Sequence, residues 1–356
     1  MTFAPAETEA MRRAIRLAAT HHPHPNPKVG AVVLDPAGRV VSEGFHTGPG
    51  EPHAEQMALQ GVSGPLPTGS TLIVTLEPCN HYGRTPPCTE AILAAGVTRV
   101  VVGARDPDPI AADGIDHLRS HGIAVETGLL ADEVEDADPA YFHHRRTGRA
   151  LFILKTATTL DGQIAARDGT SQWITGEEAR EDTHLLRARA DAVMVGAGTL
   201  RADDPRLTVR SPHYEERQPR AVVVAGRGPL PTRANVWDRD GTLVVATELA
   251  DLPVETVVVG KGEDGLPDLN QTAETLADRG LLEVLVEGGP HLASSLWRAD
   301  LVDRGVAYLG GKLAGGVGMP MFANSWDTFS GSRTVRITSV RRLGPDVRID
   351  WSPVRE

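Results

Sequence analysis

One histidine and two cysteines restrict what this chain can fold into more than any other feature. His53-Ala54-Glu55 is followed by Glu77-Pro78-Cys79 and then by Cys88, and these are the only two cysteines in 356 residues. A neutral imidazole and two thiolates make a three-ligand zinc site with a fourth position open to water, as a catalytic metal requires. The fold must therefore gather positions that lie far apart in the chain. Glu55, two residues past the histidine, is expected to carry protons rather than to ligate, taking one from the water and giving it to a leaving group. A structural zinc would need a fourth protein ligand, for which His81 is nearest, and would leave Glu55 without a task. A Cys79–Cys88 disulfide is the other alternative.

Length and composition set the frame. A chain of 356 residues exceeds one ordinary core, so two domains are expected, 1–147 and 148–356. No basic segment followed by an apolar run opens the chain, and no stretch approaches the roughly 20 apolar residues that span a bilayer. The expected location is the cytoplasm, where cysteines serve metals more often than disulfides. A net charge of −11 argues against a nucleic-acid partner, which needs basic clusters. A small anionic ligand asks only for a few local arginines.

Hydrophobic periodicity predicts alternating helices and strands, hence layered α/β structure. In the first half, helices are expected over 6–20, 52–61 and 89–95. Strands are expected over 31–34 and 39–42 as a hairpin, then over 71–76, 98–102 and 123–126. The charged run 132–149 reads as a helical or extended connector. The second half repeats the alternation. Its predicted strands are 151–157, 192–195, 221–225, 242–246, 256–259 and 282–287, with the last strands starting near Val302 and Val306. Its predicted helices are 176–190, 269–279 and 291–298.

His-x-Glu followed by Pro-Cys and a second cysteine is the signature of zinc deaminases. Nucleoside and nucleic-acid deaminases usually carry Pro-Cys-x-x-Cys, whereas here eight residues, 80–87, separate the cysteines. A loop of that length, bearing His81 and Arg84, can reach over a pocket and hold an anion. Three runs occur in order: His24-Pro25-Asn26-Pro27-Lys28-Val29-Gly30, Gly50-Glu51-Pro52-His53-Ala54-Glu55, and 75–88 with Glu77-Pro78-Cys79 and Gly83-Arg84-Thr85-Pro86-Pro87-Cys88. Through them the chain resembles the bifunctional deaminase-reductases of riboflavin biosynthesis. The resemblance implies a cytidine-deaminase-like three-layer domain followed by a dihydrofolate-reductase-like α/β domain. It implies as substrate the diamino-pyrimidinone ribosylamino phosphate made from GTP, with Asn26 and His81 on the pyrimidine and Arg84 and Asp106 toward the ribose phosphate. One segment departs from the family pattern. Where Asp-Pro-Asn-Pro and a glycine-rich turn are usual, this chain has Asp106-Pro107-Asp108-Pro109-Ile110-Ala111-Ala112-Asp113-Gly114. An ionised Asp108 cannot donate the hydrogen bonds of an asparagine.

No Gly-x-Gly-x-x-Gly opens the second half, so an ordinary Rossmann site is not expected. Three glycine turns after strands are candidates for a dinucleotide: Gly196-Ala197-Gly198-Thr199, Gly226-Arg227-Gly228 and Glu287-Gly288-Gly289-Pro290. Arg227 is either a reader of a 2′-phosphate or a surface charge. The family resemblance continues through Lys155, Asp161-Gly162, Ser171-Gln172-Trp173, His184 to Ala188, and Gly198 to Arg210. It implies NADPH as cofactor, held by Ala157, Trp173, Thr199, Asp203, Gly226 and the turn Gly289, Pro290, His291, Leu292, Ala293, Ser294 and Ser295. It implies substrate contacts from Ser171, Arg187, Leu207, Arg210 and Glu287. Arg187 and Arg210 suit a phosphate as forked donors, Asp203 or Glu287 would handle the proton, and core packing is the competing explanation for Trp173. The expected protein is a cytoplasmic, homodimeric zinc deaminase and NADPH reductase of a small phosphorylated pyrimidine. The rivals are a nucleic-acid or nucleoside deaminase, a non-catalytic nucleotide-binding regulator, and a reductase whose deaminase half is impaired.

Overall fold

The computed structural model describes residues 3–211, 214, 217–316, 318–323, 328 and 332–355. The chain divides into two compact units, Met1–Gly148 and Arg149–Glu356.

The first unit runs α1 (Pro5–Ala18), β1 (Gly30–Leu34), β2 (Val40–Phe45), α2 (Ala54–Gln60), β3 (Thr71–Leu76), α3 (Cys88–Ala94), β4 (Arg99–Ala104), α4 (Gly114–Ser120), β5 (Ala124–Thr127), α5 (Ala131–Ala137) and α6 (Pro139–Thr147). The sheet order is β2-β1-β3-β4-β5, with β1 antiparallel to both neighbours and β3, β4 and β5 parallel. Parallel strands need crossovers, and α3 and α4 supply them. Helices α1 and α5 pack together on one side, and α2, α3 and α4 follow one another on the other, giving three layers. Strands buried on both faces read as unbroken apolar runs, which is why Ala31–Leu34 and Leu72–Val74 carry no polar side chain and are fully enclosed. Helix α1 turns Ala10, Met11, Ala14 and Ala18 to this core, the face its periodicity predicts.

Two segments matter for the site. The run read as a helical or extended connector takes the helical form, as two helices, α5 and α6, divided at Pro139, whose ring fits a helix start but not its interior. The segment after Asp113, for which no element is expected, is a short helix, α4, whose apolar signal is limited to the buried pair Ile115 and Leu118, three residues apart.

The second unit runs β6 (Leu151–Thr159), β7 (Gln163–Ala165), α7 (Glu177–Arg189), β8 (Ala192–Gly196), α8 (Ala197–Asp203), β9 (Arg220–Val224), β10 (Leu243–Ala246), β11 (Glu255–Val258), α9 (Leu269–Asp278), β12 (Glu283–Val286), α10 (Pro290–Arg298), β13 (Arg304–Gly310), β14 (Met319–Pro320), β15 (Val335–Leu343) and β16 (Asp346–Pro353). Nine strands form one sheet in the order β11-β10-β9-β8-β12-β6-β13-β16-β15. From β11 to β13 neighbours are parallel, and β16 and β15 close the sheet antiparallel. Helix α9 starts where Asp268 accepts hydrogen bonds from the Asn270 and Gln271 amides. Residues 197–199, expected as a glycine turn, open helix α8 instead, with Gly196 as its cap. Among the described residues no helix is long and apolar enough to cross a membrane.

Candidate functional site

In the first unit, the chain brings His53, Cys79 and Cys88 to one point. His53 is the cap residue of α2, Cys79 follows the buried end of β3, and Cys88 is the first residue of α3. His53 Nδ1 lies 3.2 Å from Cys88 Sγ and 3.5 Å from Cys79 Sγ, and the three donor atoms all fall within 4.8 Å of one another. Tetrahedral zinc, with bonds of about 2.3 Å to sulfur and about 2.1 Å to nitrogen, sets nitrogen–sulfur separations of roughly 3.6 Å. The donor set and its spacing fit that ion. Both cysteines are unpaired thiols rather than a disulfide.

Electrostatics distinguishes the two sulfurs. Cys79 is held well below the usual thiol range by its hydrogen bond with Cys88, and His53 adds to this against the cost of burial. Cys88, although it opens a helix, is pushed up by the same hydrogen bond and by burial. The thiolate expected at both positions is therefore favoured at Cys79, and a divalent cation would displace the proton the pair retains. His53 Nε2 faces Thr85 Oγ1 at 3.4 Å, which steadies the ring from behind. Glu55 is almost wholly buried, and burial, then the Cys79 charge, push its carboxyl up to about 7.

His53, Glu55, Cys79 and Thr85 line a cavity of about 540 Å3 together with Asn26, His81, Arg84, Asp106, Asp108, Tyr141 and Arg145, with Cys88 enclosed behind it. Asn26 Nδ2 is 2.9 Å from Nε2 of the buried His46, whose Nδ1 meets the Pro52 carbonyl at 3.2 Å. His81 lines the wall, and its buried Nδ1 has no hydrogen-bond partner among the described residues. Asp106 accepts from Tyr141 Oη at 2.9 and 3.1 Å and from the Asp108 amide at 2.9 Å, while burial raises its carboxyl to about 6. The loop carrying Asp106 and Asp108 presses against the loop carrying Cys79. A Cβ at position 114 would sit 1.7 Å from the Pro78 carbonyl oxygen, so only glycine fits there. The amide of Ile115 completes the junction by donating to Glu77 at 3.2 Å.

In the second unit, β9, β8 and β12 are parallel neighbours, so the segments after them, carrying Gly226, Thr199 and Gly289, emerge along one edge of the sheet. The Gly289 amide donates to Thr199 Oγ1 at 3.0 Å and caps α10, whose first turn is Pro290, His291, Leu292 and Ala293. Ala293 and Ser294 are buried, and Ser294 Oγ accepts from the Ala323 amide. The fork expected to hold a phosphate at Arg187 closes instead on Glu287. Nε and Nη2 meet the carboxylate at 2.6 and 2.9 Å, and Nη1 meets the Thr208 carbonyl at 2.9 Å. The buried Lys155 on β6 stands 3.9 Å from the same carboxylate. Burial would raise Glu287, but the Arg187 charge and hydrogen bonds, with Lys155 behind them, bring it down to about 2. Arg210 is exposed, with Nη1 on Thr208 Oγ1 at 3.3 Å. Leu207 is buried in a left-handed backbone conformation, φ 53°. Asp203 is exposed at the end of α8, and partial desolvation raises its carboxyl.

Ser171 is exposed. Trp173 is 57% exposed, which removes core packing as the reason for it, and Arg180 stacks over its ring at 4.5 Å. A cavity of about 390 Å3 opens beside it, lined also by Lys312 and Asp346. Ala157 sits half-buried on β6.

Known proteins agree with both halves. Residues 5–104 match the family described as the cytidine and deoxycytidylate deaminase zinc-binding region, and residues 150–349 match the RibD C-terminal domain. The riboflavin biosynthesis protein RibD of Chlamydia muridarum is 40% identical over 335 residues, covering 91% of this chain and 90% of the relative. The chain belongs to the RibD family. RibD of Escherichia coli is 36% identical over 357 residues, covering 95% of this chain and 96% of its own length. A solved RibD of Acinetobacter baumannii superposes with a TM-score of 0.89 at 35% identity, over 98% of this chain and 99% of the other. A Thermotoga maritima structure titled a diaminohydroxyphosphoribosylaminopyrimidine deaminase/5-amino-6-(5-phosphoribosylamino)uracil reductase gives 0.90 at 34% identity, again over 98% and 99%. The cytidine-deaminase-like and dihydrofolate-reductase-like folds expected from the sequence are both present, and the chain is a RibD-type bifunctional deaminase and reductase of riboflavin biosynthesis.

Sequence reasoning missed several residues that shape the RibD pockets. His46 and Thr85 act through contacts that no spacing announces. Tyr141 and Arg145 had a signal, since they lie four apart on one face of α6, but that segment read only as a connector.

Proposed function

We propose that the first unit is a zinc-dependent deaminase of a phosphoribosylaminopyrimidine and that the second reduces the deaminated product with NADPH. One observation carries the first half: three soft donors converge at zinc spacing beside a buried carboxylate that is no part of the donor set. His53, Cys79 and Cys88 would hold the ion, which when bound supplies Lewis acidity and brings the pKa of a ligated water near 7. Glu55 does the proton work. Its carboxyl is enclosed beside the donor atoms, where burial favours the protonated form, so it can take a proton from water and return it to departing ammonia. Asn26, braced by His46, and His81, with an unsatisfied buried nitrogen, supply hydrogen bonds to a pyrimidine ring. Arg84 and the Asp106 wall define the end that takes the sugar phosphate.

For the reductase, the turns after β8, β9 and β12 and the exposed Trp173 suit a dinucleotide, and NADPH when bound supplies the hydride. Glu287, held near 2, stays ionised and accepts hydrogen bonds from sugar hydroxyls rather than donating a proton. Arg187 is the group that positions it, which leaves Arg210 as the exposed cation for the phosphate. Asp203, exposed at the end of α8 and raised by partial desolvation, is the remaining candidate proton handler. Two unpaired thiols committed to a metal suit the reducing cytoplasm. A homodimer through the second sheet is supported by its edge strand β15, which exposes Ile337 and Val340, and sedimentation of the purified protein would test it.

The decisive experiment is Glu55→Gln. Ammonia release should fall by about 100-fold or more, while zinc content and NADPH oxidation on the deaminated substrate stay at the parent level. Undiminished ammonia release would refute the role of Glu55, and a parent protein without zinc would refute the metal.

A further inference from the structure

The wall of the first cavity contains, besides the metal ligands, a group of four side chains from two segments. Asp106 and Asp108 come from the loop after β4, and Tyr141 and Arg145 from α6. Both carboxylate oxygens of Asp108 have a neighbour, one by hydrogen bond and one by charge. Its Oδ1 takes the Ile110 amide at 3.0 Å, and its Oδ2 faces Arg145 Nε at 3.2 Å, within ion-pair distance though off the line of a straight hydrogen bond. The Arg145 guanidinium also lies over the Tyr141 ring, 5.0 Å from its centroid, while Tyr141 Oη is tied to Asp106. The arginine is thus clamped from two sides, with its side chain 28% exposed and lining the cavity.

Charge explains why the clamp matters. Among the residues lining this cavity, Arg84 and Arg145 are the two permanent cations, and Asp106 and Asp108 stand on the same wall. A phosphate arriving there with Arg84 alone would meet two carboxylates. Pairing Asp108 with Arg145 removes one of those charges and leaves the outer face of a planar, forked donor for oxyanions.

We propose that Arg145 is a specificity-determining residue of the deaminase pocket, reading the phosphate of the substrate together with Arg84, with Asp108 as its built-in counter-ion. The inference rests on the deaminase reading above and assigns its anionic end. It also gives Asp108 a task that asparagine could not perform. An asparagine side chain at that position would turn either a second donor or a neutral oxygen toward Arg145.

The test compares deamination of the phosphorylated pyrimidine with that of its phosphate-free counterpart in zinc-loaded, full-length protein. Arg145→Met strips the cation and leaves Asp108 facing the ligand, so the preference for the phosphorylated substrate should fall roughly tenfold or more. Arg145→Lys should retain most of that preference, which guards against a simple folding defect. Asp108→Asn combined with Arg145→Met removes the stranded carboxylate and should recover about threefold or more over Arg145→Met alone. An unchanged preference in Arg145→Met, or a double variant no better than that single one, would overturn the proposal. Calorimetry with ribose 5-phosphate reads the same subsite without turnover, as a binding phase present in the parent and missing from Arg145→Met. A parent that bound ribose 5-phosphate in this way but released no ammonia from either pyrimidine would sink the deaminase reading and with it the specificity role, leaving only a phosphate subsite at Arg145.

Discussion

Replacing Arg187 by methionine isolates the buried ion pair of the reductase unit. Both side chains are only 11% exposed, and two hydrogen bonds of 2.6 and 2.9 Å join them. Glu287 is held at about 2 against an ordinary 4.5. At about 1.4 kcal/mol per unit of pKa, that difference is worth about 3 kcal/mol, in line with the roughly 3–5 kcal/mol lost when one partner of a buried pair is removed. The sign follows from the depressed folded value. The pair stabilises fully above about 4.5, and its contribution fades as pH falls toward about 2. Arg187→Met should therefore be about 3 kcal/mol less stable at pH 7. The double variant Arg187→Met with Glu287→Met should regain part of the loss, because the stranded carboxylate is gone and Lys155, whose ammonium burial already disfavours, can shed its proton once its partner is removed. The assay is direct, since Trp173, Trp237, Trp297, Trp326 and Trp351 are all the tryptophans and all belong to the second unit. Tryptophan fluorescence in a urea titration reports that unit alone. Equal destabilisation in the single and double variants would refute the argument, since packing rather than charge would then hold the site.

Two further outcomes are expected. Gly114→Ala drives a Cβ to within 1.7 Å of the Pro78 carbonyl, so the first unit should lose about 1–3 kcal/mol or more and bind zinc at least about tenfold more weakly; thermal unfolding and metal titration read both. Tyr141→Phe removes the hydroxyl that donates to both Asp106 oxygens. Asp106, already raised to about 6, should rise further in a carboxyl NMR titration. Because its folded value exceeds the ordinary 3.8, its stabilising share is present at low pH and fades as pH rises through about 6. The variant should therefore lose more stability, about 1 kcal/mol, at pH 7 than at pH 5.

The zinc ligands and Glu55 were legible because their chemistry is written in residue type and short spacing, and because a metal admits few donor sets. Strands such as Thr71–Leu76 were legible because burial on both faces favours an apolar run, here Leu72–Val74. Strand β15 was not, since it lies at the sheet edge with most side chains exposed, and the alternation begun by Val335 and Ile337 breaks at the register shift before Ser339. Helix α8 was hidden by its glycines, and α4 by its seven-residue length and an aspartate cap at φ 74°. Partners across the chain were least legible. Arg187 looked like a phosphate ligand because its sequence neighbours give no hint of Glu287, 100 residues away.

Helix α2 bears His53 at its cap and Glu55 within its first turn. It lies flush on the hairpin because Ala54 and Ala58 are fully enclosed and position 44 has no Cβ, which would otherwise fall 2.4 Å from the Ala54 carbonyl oxygen. Metal donor and proton carrier therefore ride one stiff rod seated on a shelf of minimal side chains. Evolution can slide or tilt that rod only by moving both together, so substitutions under α2 should degrade ion retention and turnover in step, never one alone.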